Sequence, residues 1–129
     1  NFYHGLCLIK NKSNKKERET MTKYNGWTNY ETWNLSLWID NDREWYRAVN
    51  DKAVGLVNDA LTKKQEIEIL RSFIIDLVQD EEPKIDACFY SDILNASIRE
   101  VNFWEISRSI INEARRDQTR VLKEERKIA

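Results

Sequence analysis

The side chains that could do chemistry in this chain are few and badly spaced for it. There is one histidine, His4, and there are two cysteines, Cys7 and Cys88. A catalytic thiol or hydroxyl needs a base held within hydrogen-bond reach, and the only imidazole lies at the far N-terminal end of the sequence from Cys88. Cys88 beside Phe89 therefore reads as a buried, structural thiol. Glu81-Glu82 before Pro83 reads as a solvated helix end rather than an acid/base pair. No His/Cys spacing suits zinc, and no calcium-binding loop or glycine-rich phosphate loop is present. The expectation is a non-enzymatic protein with no catalytic residue, no metal and no cofactor. A small enzyme without a familiar signature remains an alternative, and polar groups near Asn29, Glu31 and Asn34 beside an apolar hollow would be its place.

What the sequence has in abundance is aromatic surface. Trp27, Trp33, Trp38 and Trp45 fall close together, with Tyr24, Tyr30 and Tyr46 among them. Trp33 and Trp45 are expected in the core, where each buried large side chain contributes roughly 1.5–3 kcal/mol. Trp27, at a loop–helix junction, and Trp38, on a second apolar stripe, are candidates for a partner surface, because Trp and Tyr are enriched at binding hot spots. Asn29 and Asn34 join them as polar residues with no role the local pattern supplies. A second candidate surface is basic: Arg115, Arg116, Arg120, Lys123, Arg126 and Lys127 could contact nucleic acid. Asp117, Glu124 and Glu125 lie within that run, and their spacing also suits pairing along an exposed helix.

These residues need elements to hold them. With three Gly and one Pro in 129 residues, a turn-rich β-sandwich or barrel is excluded and helix formers dominate. Asn25-Gly26 predicts a turn. Thr28-Asn29-Tyr30-Glu31 fits a capping box opening a helix to about Asp40, with one apolar stripe of Tyr30, Trp33 and Leu37 and another of Leu35, Trp38 and Ile39. Asn41 or Asp42 caps a second helix carrying Trp45, Val49, Ala53, Leu56 and Ala60 inward. Thr62 to Gln65 forms another capping box, and Ile67, Leu70, Ile74, Leu77 and Val78 face inward behind it. A short helix is expected from Ser91 to Arg99. Asn102 then caps a last helix, with Glu105 at its N3 position and Ile106, Ile110, Ile111 and Ala114 facing inward. The fold class is all-α: a compact bundle of about four or five helices over 21–114, its aromatic first helix near the centre. A charged helical extension follows over 115–129.

Charge divides along the same lines. Residues 1–20 carry five Lys/Arg and two Asp/Glu, 21–114 carry ten and seventeen, and 115–129 carry six and three, so an acidic body of −7 stands between flanks of +3 each. No apolar run approaches the roughly 18 residues needed to cross a bilayer, and no secretory signal or disulfide framework is legible. A cytoplasmic protein with no membrane partner is the expectation.

The first twenty residues read as a flexible arm and differ from the rest. Lys16-Glu17-Arg18 shortly precedes Met21, the one methionine. Those three residues can be encoded as AAG-GAG-AGA, a purine-rich ribosome-binding sequence. Residues 1–20 are therefore expected to be translated upstream leader, the alternative being an ordinary disordered arm.

The stretch Asn25-Gly26-Trp27-Thr28-Asn29-Tyr30-Glu31-Thr32-Trp33 followed by Leu37-Trp38 resembles the signature of a small family of uncharacterised proteins from bacteriophages and bacteria. Val101-Asn102-Phe103-Trp104-Glu105-Ile106 resembles a segment that closes the same family. The resemblance implies a phage, prophage or plasmid context and a bacterial host, and it supplies no ligand and no functional residue. The leading expectation is a phage- or mobile-element-type accessory protein acting by contact with a protein, of the host or a second copy of itself, in one version as an antagonist of a host system. The alternative is a nucleic-acid-associated regulator working through the basic tail.

Overall fold

A computed structural model of the chain describes residues 23–128. The expected leader and arm over 1–20 lie outside the described residues. Five helices follow one another: α1 (Tyr30–Asn41), α2 (Arg43–Val57), α3 (Lys63–Asp80), α4 (Phe89–Glu100) and α5 (Phe103–Ile128). Among the described residues there is no strand, only an isolated bridge between Tyr24 and Trp27. The fold is all-α, as the composition requires.

The entry turn is made by Asn25 and Gly26, at φ 47° and 87°. Tyr24 and Trp27 exchange both backbone hydrogen bonds across it, at 2.6 and 2.8 Å. Two consecutive left-handed residues suit Asn-Gly because glycine has no Cβ to clash and Asn tolerates that region.

The core lies between α2, α3 and α5, whose mutual contacts are the most extensive in the molecule. Val49, Ala53, Leu56 and Val57 of α2 meet Ile67, Leu70 and Ile74 of α3 and Ile106 and Ile111 of α5. Asp42 caps α2 by accepting from the backbone N–H groups of Glu44 and Trp45, both at 3.0 Å. Thr62 and Gln65 form the expected reciprocal box on α3. Ala60, expected to face inward on α2, is instead exposed beyond that helix's end at Val57. The central position expected for α1 also gives way: it packs chiefly against α2, with smaller contacts to α4 and α5. Its fully buried residues are Thr32 and Ile39, so the buried face follows the Ile39 edge of the second apolar stripe, away from Trp38, and leaves the first stripe outside the core.

Thr28 does not cap α1. Asn29 does, its Oδ1 accepting from the backbone N–H of Thr32 at 2.9 Å and from the Thr32 hydroxyl at 2.5 Å. Thr28 instead donates its backbone N–H and its hydroxyl to the two carboxylate oxygens of Glu105, at 3.0 and 2.5 Å. Asn29 Nδ2 reaches the Glu100 carbonyl at 2.7 Å, and the Asn102 backbone N–H donates to Thr32 Oγ1 at 2.9 Å. Asn102 Oδ1 in turn accepts from the Glu105 N–H at 3.0 Å, capping α5. The N-termini of α1 and α5 thus satisfy each other's polar groups. Helix starts leave four N–H groups without intrahelical partners, and here both starts are closed by one shared network.

A second cross-link is charged. Glu66, fully buried on α3, pairs with Arg115 of α5. The side chain of Glu66 is wholly inaccessible while that of Arg115 is 39% exposed, so removing one partner should not cost the same as removing the other. Arg115→Gln strands a buried carboxylate and is expected to cost about 3–5 kcal/mol. Glu66→Gln leaves a guanidinium that can turn to water, and should cost at most about half as much. Urea unfolding of both variants checks this, and equal losses would contradict the asymmetry.

Candidate functional site

α4 is the most lightly held helix. Its one buried residue is Ser91, and it packs chiefly against α1. It begins at Phe89, two residues before the expected Ser91, and ends at Glu100. Cys88 is its N-cap and is exposed, which corrects the expectation of a buried thiol. The Ser91 N–H pulls the Cys88 thiol below its ordinary value, against a smaller desolvation effect, and the Tyr90 N–H adds to the lowering. Donors at a helix start favour thiolate. No imidazole stands beside it among the described residues, and no group of three or more potential metal ligands occurs there.

Between α1 and α4 lies an apolar groove of about 280 Å³. Tyr30, Asn34 and Trp38 stand one turn apart along α1 and form one wall together with Glu31 and Leu35. Leu94, Ser97 and Ile98 of α4 face them, and Trp45, Val78, Val101 and Phe103 complete the lining. Trp38 is 59% exposed on the rim. On α4, Tyr90 lies one turn before Leu94 and Ile93 one turn before Ser97, so exposed Tyr90, Ile93 and Phe89 extend the apolar surface from the groove wall.

The four residues singled out for a partner surface separate here. Trp38 and Asn34 line the groove together. Asn34 makes no side-chain hydrogen bond with another described residue, whereas Asn29 is consumed by the cap and by the Glu100 carbonyl. Trp27 is half-buried against the core and lines a shallower hollow with Glu105 and Arg108. Trp45 packs on the core and also lines the groove. Trp33 is half-buried with Tyr24 and Tyr30, their ring centroids 5.1 and 5.6 Å from its own. The expectation missed Leu94, Ser97 and Ile98, because nothing local marks α4 as one wall of a groove.

The basic candidates lie elsewhere, all on α5. Arg115 is committed to Glu66 and Arg120 contacts Asp117 at 3.1 Å. Arg116 and Lys123 flank them in a shallow cleft with Thr119. Arg126 and Lys127 occupy the last turn of the helix.

Residues 20–123 match the model of the family of unknown function DUF7249, and the chain belongs to that family. No curated protein matches the chain, and no solved structure does.

The acidic body has one local consequence for stability. Partial desolvation at the end of α1, and secondarily the negative charge of Glu113, push the exposed Asp40 carboxyl above its ordinary value of 3.8. A carboxyl raised in the folded state binds its proton more tightly there than in the unfolded chain, so its ionised form destabilises the fold. That penalty is full above the folded value and vanishes below the unfolded one. Asp40→Asn should therefore raise the denaturation midpoint at pH 7, the gain shrinking as pH falls toward 3.8. Thermal melts across that range check it, and a gain that grows on acidification would contradict the assignment.

Proposed function

We propose that this member of a family of unknown function is a non-catalytic binding protein whose α1–α4 groove receives an apolar segment of a protein partner. The observation that carries the reading is Trp38, held largely in solvent on the rim of a groove whose walls are apolar and whose Asn34 side chain has no described partner. Hot spots of protein interfaces combine an aromatic anchor with a desolvated pocket, and a groove between two helices suits an amphipathic helix laid along it. Glu31 on the wall and the net charge of −7 over residues 21–114 favour a partner with basic residues flanking its apolar face.

The resemblance of the aromatic segment to proteins of bacteriophages and bacteria supports an accessory role in the cytoplasm of a bacterial host, for a phage or other mobile element. Antagonism of a host system through a basic face of its target is the version that the acidic body favours. No helix among the described residues is long and apolar enough to cross a membrane.

The test compares the full chain with Trp38→Ala and Leu37→Ala. Leu37 is also exposed on α1 but does not line the groove. A partner captured from the bacterial host and then purified should bind the unaltered chain directly in calorimetry. Its affinity should fall at least tenfold with Trp38→Ala and change less than threefold with Leu37→Ala, circular dichroism being the same for all three. Equal affinities for the two variants would contradict the assignment of the groove.

A further inference from the structure

Helix α5 carries a feature that the groove does not use. It runs unbroken from Phe103 to Ile128, but the rest of the bundle stops well before its end. Gln118 makes the last described side-chain hydrogen bonds from α5 to another helix's end, donating to the Val57 carbonyl at 3.2 Å and to Asn58 Oδ1 at 2.6 Å. From Thr119 to Ile128 every residue is exposed. The helix therefore projects as a rod about 15 Å long, at 1.5 Å per residue.

Charge on the rod and on the turn of α5 that leads into it is sorted by face. At about 100° per residue, Arg115, Arg116, Arg120, Lys123, Arg126 and Lys127 all fall within an arc of about 140°. Asp117, Glu124 and Glu125 fall outside that arc, and so do Val121, Leu122 and Ile128. The sequence order alone suggests interleaved, mutually neutralising charges, whereas the helix makes a one-sided basic stripe. Four of its cations, Arg116, Lys123, Arg126 and Lys127, form no ion pair with a described carboxylate, while Arg115 and Arg120 do.

We infer that this stripe is a binding site for double-stranded DNA, entered through the major groove. The occupant follows from shape as well as charge. An isolated helix of about 10–12 Å diameter matches a major groove about 12 Å wide. The major groove of an RNA duplex is deep and narrow and does not admit it. An anionic membrane surface is disfavoured because the rod carries only three apolar residues, Val121, Leu122 and Ile128, too few for the apolar face that an interfacial helix buries. Projection also answers the charge of the body: the rod carries the cations beyond an acidic bundle that would otherwise repel phosphate.

The experiment is fluorescence anisotropy of a labelled 20-base-pair DNA duplex with the full chain, from 50 to 200 mM salt, beside an RNA duplex of the same sequence. With four cations meeting phosphates, log affinity should fall against log salt with a slope of about −3.6. Arg116→Gln/Lys123→Gln/Lys127→Gln, three exposed changes, should reduce the slope to about −1 and weaken binding at 50 mM salt more than tenfold at unchanged circular dichroism. Trp38→Ala should leave DNA binding unchanged, so failure of the groove and failure of the stripe can be told apart. No binding at 50 mM salt, equal affinity for the RNA duplex, or a triple variant that binds as well as the original would overturn the assignment.

Discussion

Two helix starts that lie far apart in the sequence complete each other, and the placement of α1 depends on that exchange. Asn29 closes α1 and reaches the Glu100 carbonyl, Thr32 receives the Asn102 N–H, and Glu105 holds both donors of Thr28. All four of these side chains, Thr28, Asn29, Thr32 and Glu105, bond between the α1 start and the region where α4 gives way to α5. Thr32 is fully buried, and a buried hydroxyl without partners would cost rather than stabilise. The network turns that liability into the feature that fixes the direction in which α1 leaves the body. With α1 so directed, Trp38 stands on the rim of the groove rather than inside the core.

The same contacts give a physical meaning to two segments within the stretch that matches the family, the aromatic one from Asn25 to Trp38 and the later one from Val101 to Ile106. The aromatic N-terminal segment contributes Thr28, Asn29 and Thr32; the later one contributes Asn102 and Glu105. Their polar residues meet each other, so that part of the signature is accounted for by folding. What folding leaves over is the groove wall of Tyr30, Asn34 and Trp38, which is where the proposed binding role is placed. The two proposed surfaces differ in character, an apolar groove between α1 and α4 and a projecting basic helix at the end of α5.

Local chemistry was legible in the sequence and long-range chemistry was not. The Asn25-Gly26 turn, the Asp42 cap and the Thr62–Gln65 box involve partners within three residues, so their types and spacing suffice. The Thr28–Glu31 box failed because Thr28 had a better acceptor in Glu105, across the fold. The centre of α1 was misplaced because hydropathy ranks Trp and Leu as buried and Thr as neutral, whereas the buried line runs through Thr32 to Ile39. Cys88 looked like core because cysteine and phenylalanine usually are, but α4 turns only one narrow face inward. The basic tail was seen as a composition; its one-sidedness needs a continuous helix, which periodicity thinning past Arg115 did not guarantee.

The account stands on the shared helix start, and a double-mutant cycle on its most separated pair addresses it most directly. Thr28→Val, Glu105→Ala and the combined variant should be compared in urea unfolding. If Thr28 and Glu105 hold each other, the double change should cost less than the sum of the single ones by about 1–2 kcal/mol, as expected of a hydrogen bond to a charged group near the surface. Strict additivity, within about 0.3 kcal/mol, would mean that the two residues do not interact in solution and that α1 is held to the body by something else.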